Sequence, residues 1–251
     1  MSKNFIITND NVKEYAEKIE DWIKNKVNEA GTEGVVLGMS GGVDCSTVAM
    51  LCKNAGIKLH LVILPYGEHM KNSNTYSNAM ELINTSNFEY HIFDIKPAVD
   101  ALIIPTEEKT YTAELAKANI RPRIRMTYLY EYAQINNLLV IGTGNLSEAT
   151  VGYFTKWGDG AHDLNPLANL TKREVYILAK FLGVPEVIIN AKPSADLWPG
   201  QTDEDELGLT YEQIDEFILN GTSGDSKIDE IIQTKKERNI HKLEPIAKFE
   251  D

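Results

Sequence analysis

Gly34-Val-Val-Leu-Gly-Met-Ser-Gly-Gly-Val-Asp-Cys-Ser46 is the stretch on which the fold turns. Its opening Gly34–Met39 is a short apolar run, the pattern of a strand buried on both faces. A glycine-rich turn follows, and Ser46–Ala55 has a helical pattern that Gly56 closes. The same alternation repeats on either side. Val12, Tyr15, Ala16, Ile19, Trp22, Ile23 and Val27 recur at helical spacing, with Gly31 as the stop. Ile57–Leu64 is a second apolar run, ended by Pro65. A helix around Tyr76–Asn84, a strand over Tyr90–Asp94, a helix-rich stretch over 110–136 and a strand over Leu138–Gly142 complete the series. This rhythm predicts an α/β fold, a doubly wound parallel sheet with helices on both faces. Beyond 142 the strand signal fades. Loops rich in Gly, Asp and Pro alternate with helices at 171–182, 211–219 and 226–239, so a C-terminal helical extension is expected. With no repeat and no low-complexity linker, residues 1–251 read as one domain, its core reaching to about 142.

The 251 residues include 25 Lys and Arg against 37 Asp and Glu, a net charge of −12. Phosphate backbones demand a basic footprint, so this balance disfavours a nucleic-acid partner. It equally disfavours an anionic membrane surface, while leaving room for a local basic pocket. The longest apolar runs are strand-sized, and the first ten residues have neither a long apolar stretch nor a cleavage pattern. A cytoplasmic protein without membrane contact is expected. Cys45 and Cys52 are too few for a disulfide framework or a structural zinc site, and read as buried thiols on one helix.

Open parallel sheets bind ligands outside the carboxyl ends of their strands. Segments 39–46, 65–70 and 142–148 fall there. In Gly38-Met39-Ser40-Gly41-Gly42-Val43-Asp44-Cys45-Ser46, the paired glycines let backbone approach an anion and tolerate positive φ. Ser40 and Ser46 supply hydroxyls, and the helix N-terminus supplies oriented N–H groups. A plain strand-to-helix turn needs one glycine, not this set. The sequence has no Gly-Lys dipeptide for a Walker loop, and its Gly-x-Gly stretches lack the third glycine of a dinucleotide fingerprint. Asp44 beside a polyphosphate would be repelled unless a cation lay between, which makes it a Mg²⁺ ligand candidate. In Gly142-Thr-Gly-Asn-Leu-Ser-Glu148, Thr143 can bond a nucleotide and Glu148 can be the second carboxylate on Mg²⁺. Gly152-Tyr-Phe-Thr-Lys-Trp-Gly-Asp-Gly160 is too rich in glycine, aromatics and charge for a mere connector. Lys172 stands near a helix start, where a cation opposes the dipole; by itself it reads as a solvated lysine. Asp203–Glu206, after Thr202, reads as an acidic first turn of a capped helix, or as part of a mobile lid.

The Ser-Gly-Gly-x-Asp-Ser pattern resembles the pyrophosphate loop of the N-type ATP pyrophosphatases, with Cys45 in place of the first Ser after the Asp and Ser46 next door. The chain as a whole resembles NAD synthetase, from about Asn9 to the end. Pro65-Tyr-Gly67, Asn119-Ile-Arg-Pro-Arg-Ile-Arg-Met126, Gly152–Gly160, Lys192-Pro-Ser-Ala-Asp196, Gln201–Gly208, Tyr211-Glu-Gln-Ile-Asp215 and His241-Lys242 follow its pattern in order. Glu68-His-Met-Lys-Asn departs from it.

The resemblance implies that 38–46 holds ATP phosphates, with Asp44 and Glu148 on Mg²⁺. It implies ATP contacts for Thr143, Lys172 and Ser194, and deamido-NAD contacts for Arg123, Lys156, Asp163, His241 and Lys242. A diphosphate and a carboxylate call for such cations. Asp44, Lys172 and Asp163 are the expected catalytic set, Asp163 as a carboxylate that guides or deprotonates ammonium. The implied reaction is adenylation of the deamido-NAD carboxylate by ATP, then attack by ammonia, giving NAD, AMP and pyrophosphate. Family members are homodimers, so a homodimer is implied. The likeness uses nearly all residues, so no glutaminase domain is expected and ammonia is used directly. Another adenylating amidotransferase, a tRNA-modifying ATP pyrophosphatase and a regulatory nucleotide binder are the competing readings. The net charge and the missing zinc cysteines weigh against the tRNA enzyme, the paired carboxylates against the passive binder.

Overall fold

The computed structural model describes residues 7–67, 70, 73–104, 110–194 and 202–249. Glu68–His69 of the departing loop and Pro199–Gly200 of the expected lid lie outside them. Helix α1 (Val12–Ala30) ends at Gly31, whose φ of 66° is the left-handed stop glycine supplies readily. Strand β1 (Gly34–Gly38), helix α2 (Val43–Asn54), strand β2 (Lys58–Ile63), helix α3 (Asn74–Ser86) and strand β3 (Tyr90–Ile92) follow. Helices α4 (Lys96–Leu102), α5 (Tyr111–Ala118) and α6 (Ile120–Asn136) lead to strand β4 (Leu138–Val140). Among the described residues the remaining elements are helices: α7 (Leu146–Val151), α8 (Lys172–Phe181), α9 (Glu186–Ile189), α10 (Asp203–Leu207), α11 (Tyr211–Asn220) and α12 (Ser226–Asn239).

The four strands are parallel, in the order β3-β2-β1-β4. The chain therefore winds outward from β1 to β3, then returns past β1 to β4. A crevice opens between β1 and β4, where the winding reverses. Strand side chains alternate between faces. Val35, Leu37, Leu61 and Ile63 share a core with α1, α2, α3 and α8. Val36, Val62, Leu64, Leu138 and Val140 share another with α4 and α6. Both faces are covered, as expected of the doubly wound fold. A third, smaller core joins Val151, Leu207, Leu209, Ile214 and Ile232 and binds the helical extension together. Among the described residues, no helix is long and apolar enough to cross a membrane.

The boundaries differ from expectation in ways that matter. Helix α2 starts at Val43, three residues early, because Ser46 turns both its N–H and its hydroxyl to the Gly42 carbonyl, at 3.1 and 2.8 Å. The 110–136 stretch breaks at Asn119 into α5 and α6. Strand β3 is only three residues long, all of them exposed, as suits an edge strand. Helix α10 begins at Thr202, whose side chain accepts the N–H of Asp205, in agreement with the acidic capped turn.

Candidate active site

The carboxyl ends of β1, β2 and β4 open into a cavity of about 470 Å³. Residues 38–45 line one wall, and Gly142, Thr143, Glu148, Lys172 and Ser194 line others. Gly41 holds a φ of 90°, and a Cβ there would lie 1.9 Å from the Thr75 carbonyl oxygen at the start of α3. Its glycine is thus demanded by helix packing as well as by the turn. No side chain caps α2 at Gly42, so its first turn keeps N–H groups for an anion. Ser46 is fully buried and absent from the cavity wall. Cys45 lines it, with Sγ 3.2 Å from both Ser40 Oγ and the Gly42 carbonyl oxygen.

Opposite this loop stands a tight charged cluster. Lys172 Nζ lies 2.6 Å from Asp44 Oδ2 and 3.3 Å from Glu148 Oε1. The lysine side chain is only 3% exposed, so it is no solvated surface cation. Its place at a helix start is explained by two acids from other elements. Burial pushes the Lys172 ammonium down, but the Asp44 and Glu148 carboxylates outweigh burial and hold it above the usual lysine range. Glu148 is raised, first by burial and then by Asp44, against the opposing pull of Lys172. Asn145 donates its amide to Asp44 Oδ1 at 2.9 Å and forms a capping box with Glu148 at the start of α7. Asp44 and Glu148, 104 positions apart, are thereby brought to one nitrogen.

More acid surrounds the cluster. The Tyr211 hydroxyl lies 2.9 Å from Asp203 Oδ2 and 3.4 Å from Glu148 Oε1. The Tyr153 hydroxyl lies 2.9 Å from Glu206 Oε2 and 3.2 Å from Asp203 Oδ1. Asp203, linked to Glu148 through Tyr211, and Glu206, linked to Asp203 through Tyr153, thus extend the acidic lining of the cavity around Asp44 and Glu148. Among the described residues, no three His, Cys, Asp or Glu stand ready to hold a metal alone. Two carboxylates can still share Mg²⁺ with phosphate oxygens and water, which is how that ion is usually held.

The expected acceptor residues form a second cluster, outside the cavity wall except for Lys242. Arg123 Nε donates to the Lys156 carbonyl at 3.3 Å, and Lys156 Nζ donates to the His241 carbonyl. Lys242 Nζ donates to the carbonyls of Gly152 and Phe154, at 2.7 and 3.0 Å. Lys156 and Lys242 staple the 152–160 loop to the C-terminal segment, and Arg123 ties the loop to α6. Asp163 lies outside the cavity wall: Oδ2 accepts the Val140 N–H at 2.7 Å and Oδ1 accepts the Tyr130 hydroxyl at 3.2 Å. Asp159, four residues earlier, does line the cavity, as does Arg125. Burial raises the Asp159 carboxyl.

The NAD synthase family matches residues 15–249. The chain belongs to that family. An NH(3)-dependent NAD(+) synthetase from Finegoldia magna is 42% identical over 240 residues, covering 94% of this chain and 97% of that protein. Two solved members of similar size share the fold. The NMN synthetase from Francisella tularensis has a TM-score of 0.86 and 41% identity, over 94% of this chain and 98% of its own. The NH3-dependent NAD synthetase from Campylobacter jejuni has a TM-score of 0.77 and 34% identity, over 95% and 99%.

Asn145, Asp159, Asp203, Tyr153 and Tyr211 lie in stretches that the sequence marks, but no pattern there assigns any of them individually to the site. Asn145 carries a signal, the Asn-x-x-Glu spacing of a capping box. The others reach the cavity or its charged cluster only through tertiary packing.

Proposed function

We propose that this chain amidates deamido-NAD with ammonia at the expense of ATP, through an adenylated intermediate. One observation carries the reading: Asp44, Glu148 and Lys172, from α2, α7 and α8, meet at 2.6 and 3.3 Å beside the N-terminus of α2. ATP phosphates would lie on the N–H groups of 41–45. Asp44 and Glu148 would hold Mg²⁺, which supplies charge neutralisation on the polyphosphate. Lys172 would face the charge that grows on the leaving pyrophosphate. A carboxylate oxygen of the acceptor attacks the α-phosphorus, the α–β bridge breaks, and pyrophosphate leaves. Ammonia then forms the C–N bond, the acyl–oxygen bond breaks, and AMP departs with the electron pair. Asp159, not Asp163, is the loop carboxylate that faces the cavity, and we assign it the proton shed by ammonium. Ser194 and Thr143 are placed on the nucleotide, and Arg123, Lys156, His241 and Lys242 on the outer part of the acceptor.

Cys52 is fully buried, its thiol pushed well up by burial, and Cys45 belongs to the phosphate loop. Neither has the exposure of a glutaminase nucleophile, which supports direct use of ammonia by a single synthetase domain. We further read the protein as a cytoplasmic homodimer. The exposed Tyr90, Ile92 and Phe93 on the β3 edge support a paired surface, and sedimentation of the purified protein tests it.

The test of function is one assay with ATP, Mg²⁺, ammonium and deamido-NAD, scored for NAD, AMP and pyrophosphate. ADP as product, or activity with glutamine alone, would overturn the reading. A second acceptor belongs in the same assay. The overlay with the Francisella NMN synthetase, at a TM-score of 0.86 against 0.77 for the Campylobacter enzyme, favours trying nicotinate mononucleotide. That acceptor presents the same carboxylate without the adenylate half, so preference between the two reports on the outer cluster alone.

A further inference from the structure

We propose that Tyr211 is a positioning residue that keeps Glu148 and Lys172 apart from the negative charge of Asp203 and ready for the metal-bound polyphosphate. The proposal rests on the amidation reading above. Tyr211 and Asp215 are one helical turn apart on α11, so they share a face. That face is turned to the cluster, and both residues are buried. Asp215 fixes the backbones. It accepts the Ser147 hydroxyl and the Arg173 N–H, the latter at 2.8 Å, while the Lys172 N–H donates to Ser147 Oγ at 2.9 Å. Helix α7, with Glu148, and helix α8, with Lys172, are thereby tied at their first turns by one carboxylate.

Tyr211 fixes the side chains. Its ring lies under the Lys172 ammonium, 4.7 Å from Nζ to the ring centroid. Its hydroxyl sits between two acids, 2.9 Å from Asp203 and 3.4 Å from Glu148. A phenol has one proton, and the shorter contact gives it to Asp203. The result is a neutral O–H placed between two carboxylates that would otherwise repel. Phenylalanine would keep the ring and its contact with Lys172 but remove the proton. Asp203 would then keep only the Tyr153 hydroxyl, and its repulsion would push the Glu148 oxygen away from the point it shares with Asp44.

The experiment compares wild type, Tyr211→Phe, Asp203→Asn and the double variant, by calorimetric ATP binding across a Mg²⁺ titration and by steady-state kinetics. For Tyr211→Phe, the Mg²⁺ midpoint for ATP binding is expected to rise about fivefold or more, with kcat at saturating Mg²⁺ within about threefold of wild type. Removing the competing charge should rescue it, so the double variant is expected within about twofold of wild type. Glu216→Gln, on the exposed side of the same helix, should leave the midpoint unchanged. A Tyr211→Phe midpoint within about twofold of wild type overturns the proposal. So does a shift that Asp203→Asn fails to rescue, or a loss of folded protein, either of which makes Tyr211 a packing residue. Failure of the wild type to form NAD or its mononucleotide counterpart instead sinks the amidation reading.

Discussion

The two charged regions of this protein are built from similar residues and behave differently. At the carboxyl ends of the strands, Lys172 is buried between two acids, with Asn145 bonded to Asp44, the Tyr211 hydroxyl beside Glu148, and Ser147 holding the Lys172 backbone. On the outer side of the 152–160 loop, Arg123 and Lys156 are hydrogen-bonded to backbone carbonyls at an exposed surface, and Lys242 ties the same loop from a half-buried place. The first region sets one buried cation against clustered carboxylates, where little water screens the ion pairs. The second is a set of staples from side chains to backbone carbonyls. On the function proposed above, ATP chemistry would belong to the first, rigid pole and acceptor choice to the second, adaptable one.

The sharpest way to break that contrast is Lys172→Ala. It leaves the half-buried Asp44 and Glu148 without their cation, so kcat/KM is expected to fall by on the order of a thousandfold. The metal-free protein should lose about 3–5 kcal/mol, partly restored by Mg²⁺ in a thermal melt. Equal loss from Lys156→Ala would erase the distinction between the regions.

Glu148→Gln comes next, with activity expected to fall roughly a hundredfold. Burial, reinforced by Asp44, pushes the Glu148 carboxyl up to about 7 from an ordinary 4.5. The folded protein then keeps a proton that the unfolded chain releases, so this group makes stability fall as pH rises from about 4.5 to about 7. The Gln variant lacks that penalty. Its melting temperature relative to wild type, without metal, should be higher at pH 8 than at pH 5, and the reverse order would show Glu148 to be fully ionised in the fold.

Gly41→Ala probes the scaffold under the rigid pole. A Cβ 1.9 Å from the Thr75 oxygen at a φ of 90° should cost about 2 kcal/mol or more, read by denaturant unfolding. Lys242→Met is the milder test of the adaptable pole. Acceptor KM is expected to rise about three- to tenfold while the KM for ATP stays put. Ser46→Ala should do least: its hydroxyl bonds to its own helix at 2.8 Å, so kcat is expected to change less than about twofold, with about 1 kcal/mol of stability lost.

Much of this was legible in the order of residues. Alternating apolar runs and helical spacing gave the doubly wound sheet, since a strand buried on both faces has no other reading between two helices. Thr202 and the acids after it marked a real helix start. Boundaries were harder where a side chain could either face the ligand or return to the backbone, as Ser46 does. Lys172 reads as solvated from its neighbours alone, and only the family resemblance puts it in the site, because its partners lie 128 and 24 positions away and a helix start gives no hint of them. Asp163 and Asp159 are alike as letters, and only the turn between them decides which one looks into the cavity.

By itself, then, the sequence determined the periodicity, the anion loop and the family likeness, all of which depend on neighbours along the chain. Tertiary structure alone decided which acids surround Lys172, which carboxylate of the loop meets the cavity, and which cations serve as staples. The reason is that charge is read by distance in space. Packing α11 against α7 and α8, and α8 against α2, sets those distances, and no local pattern encodes them.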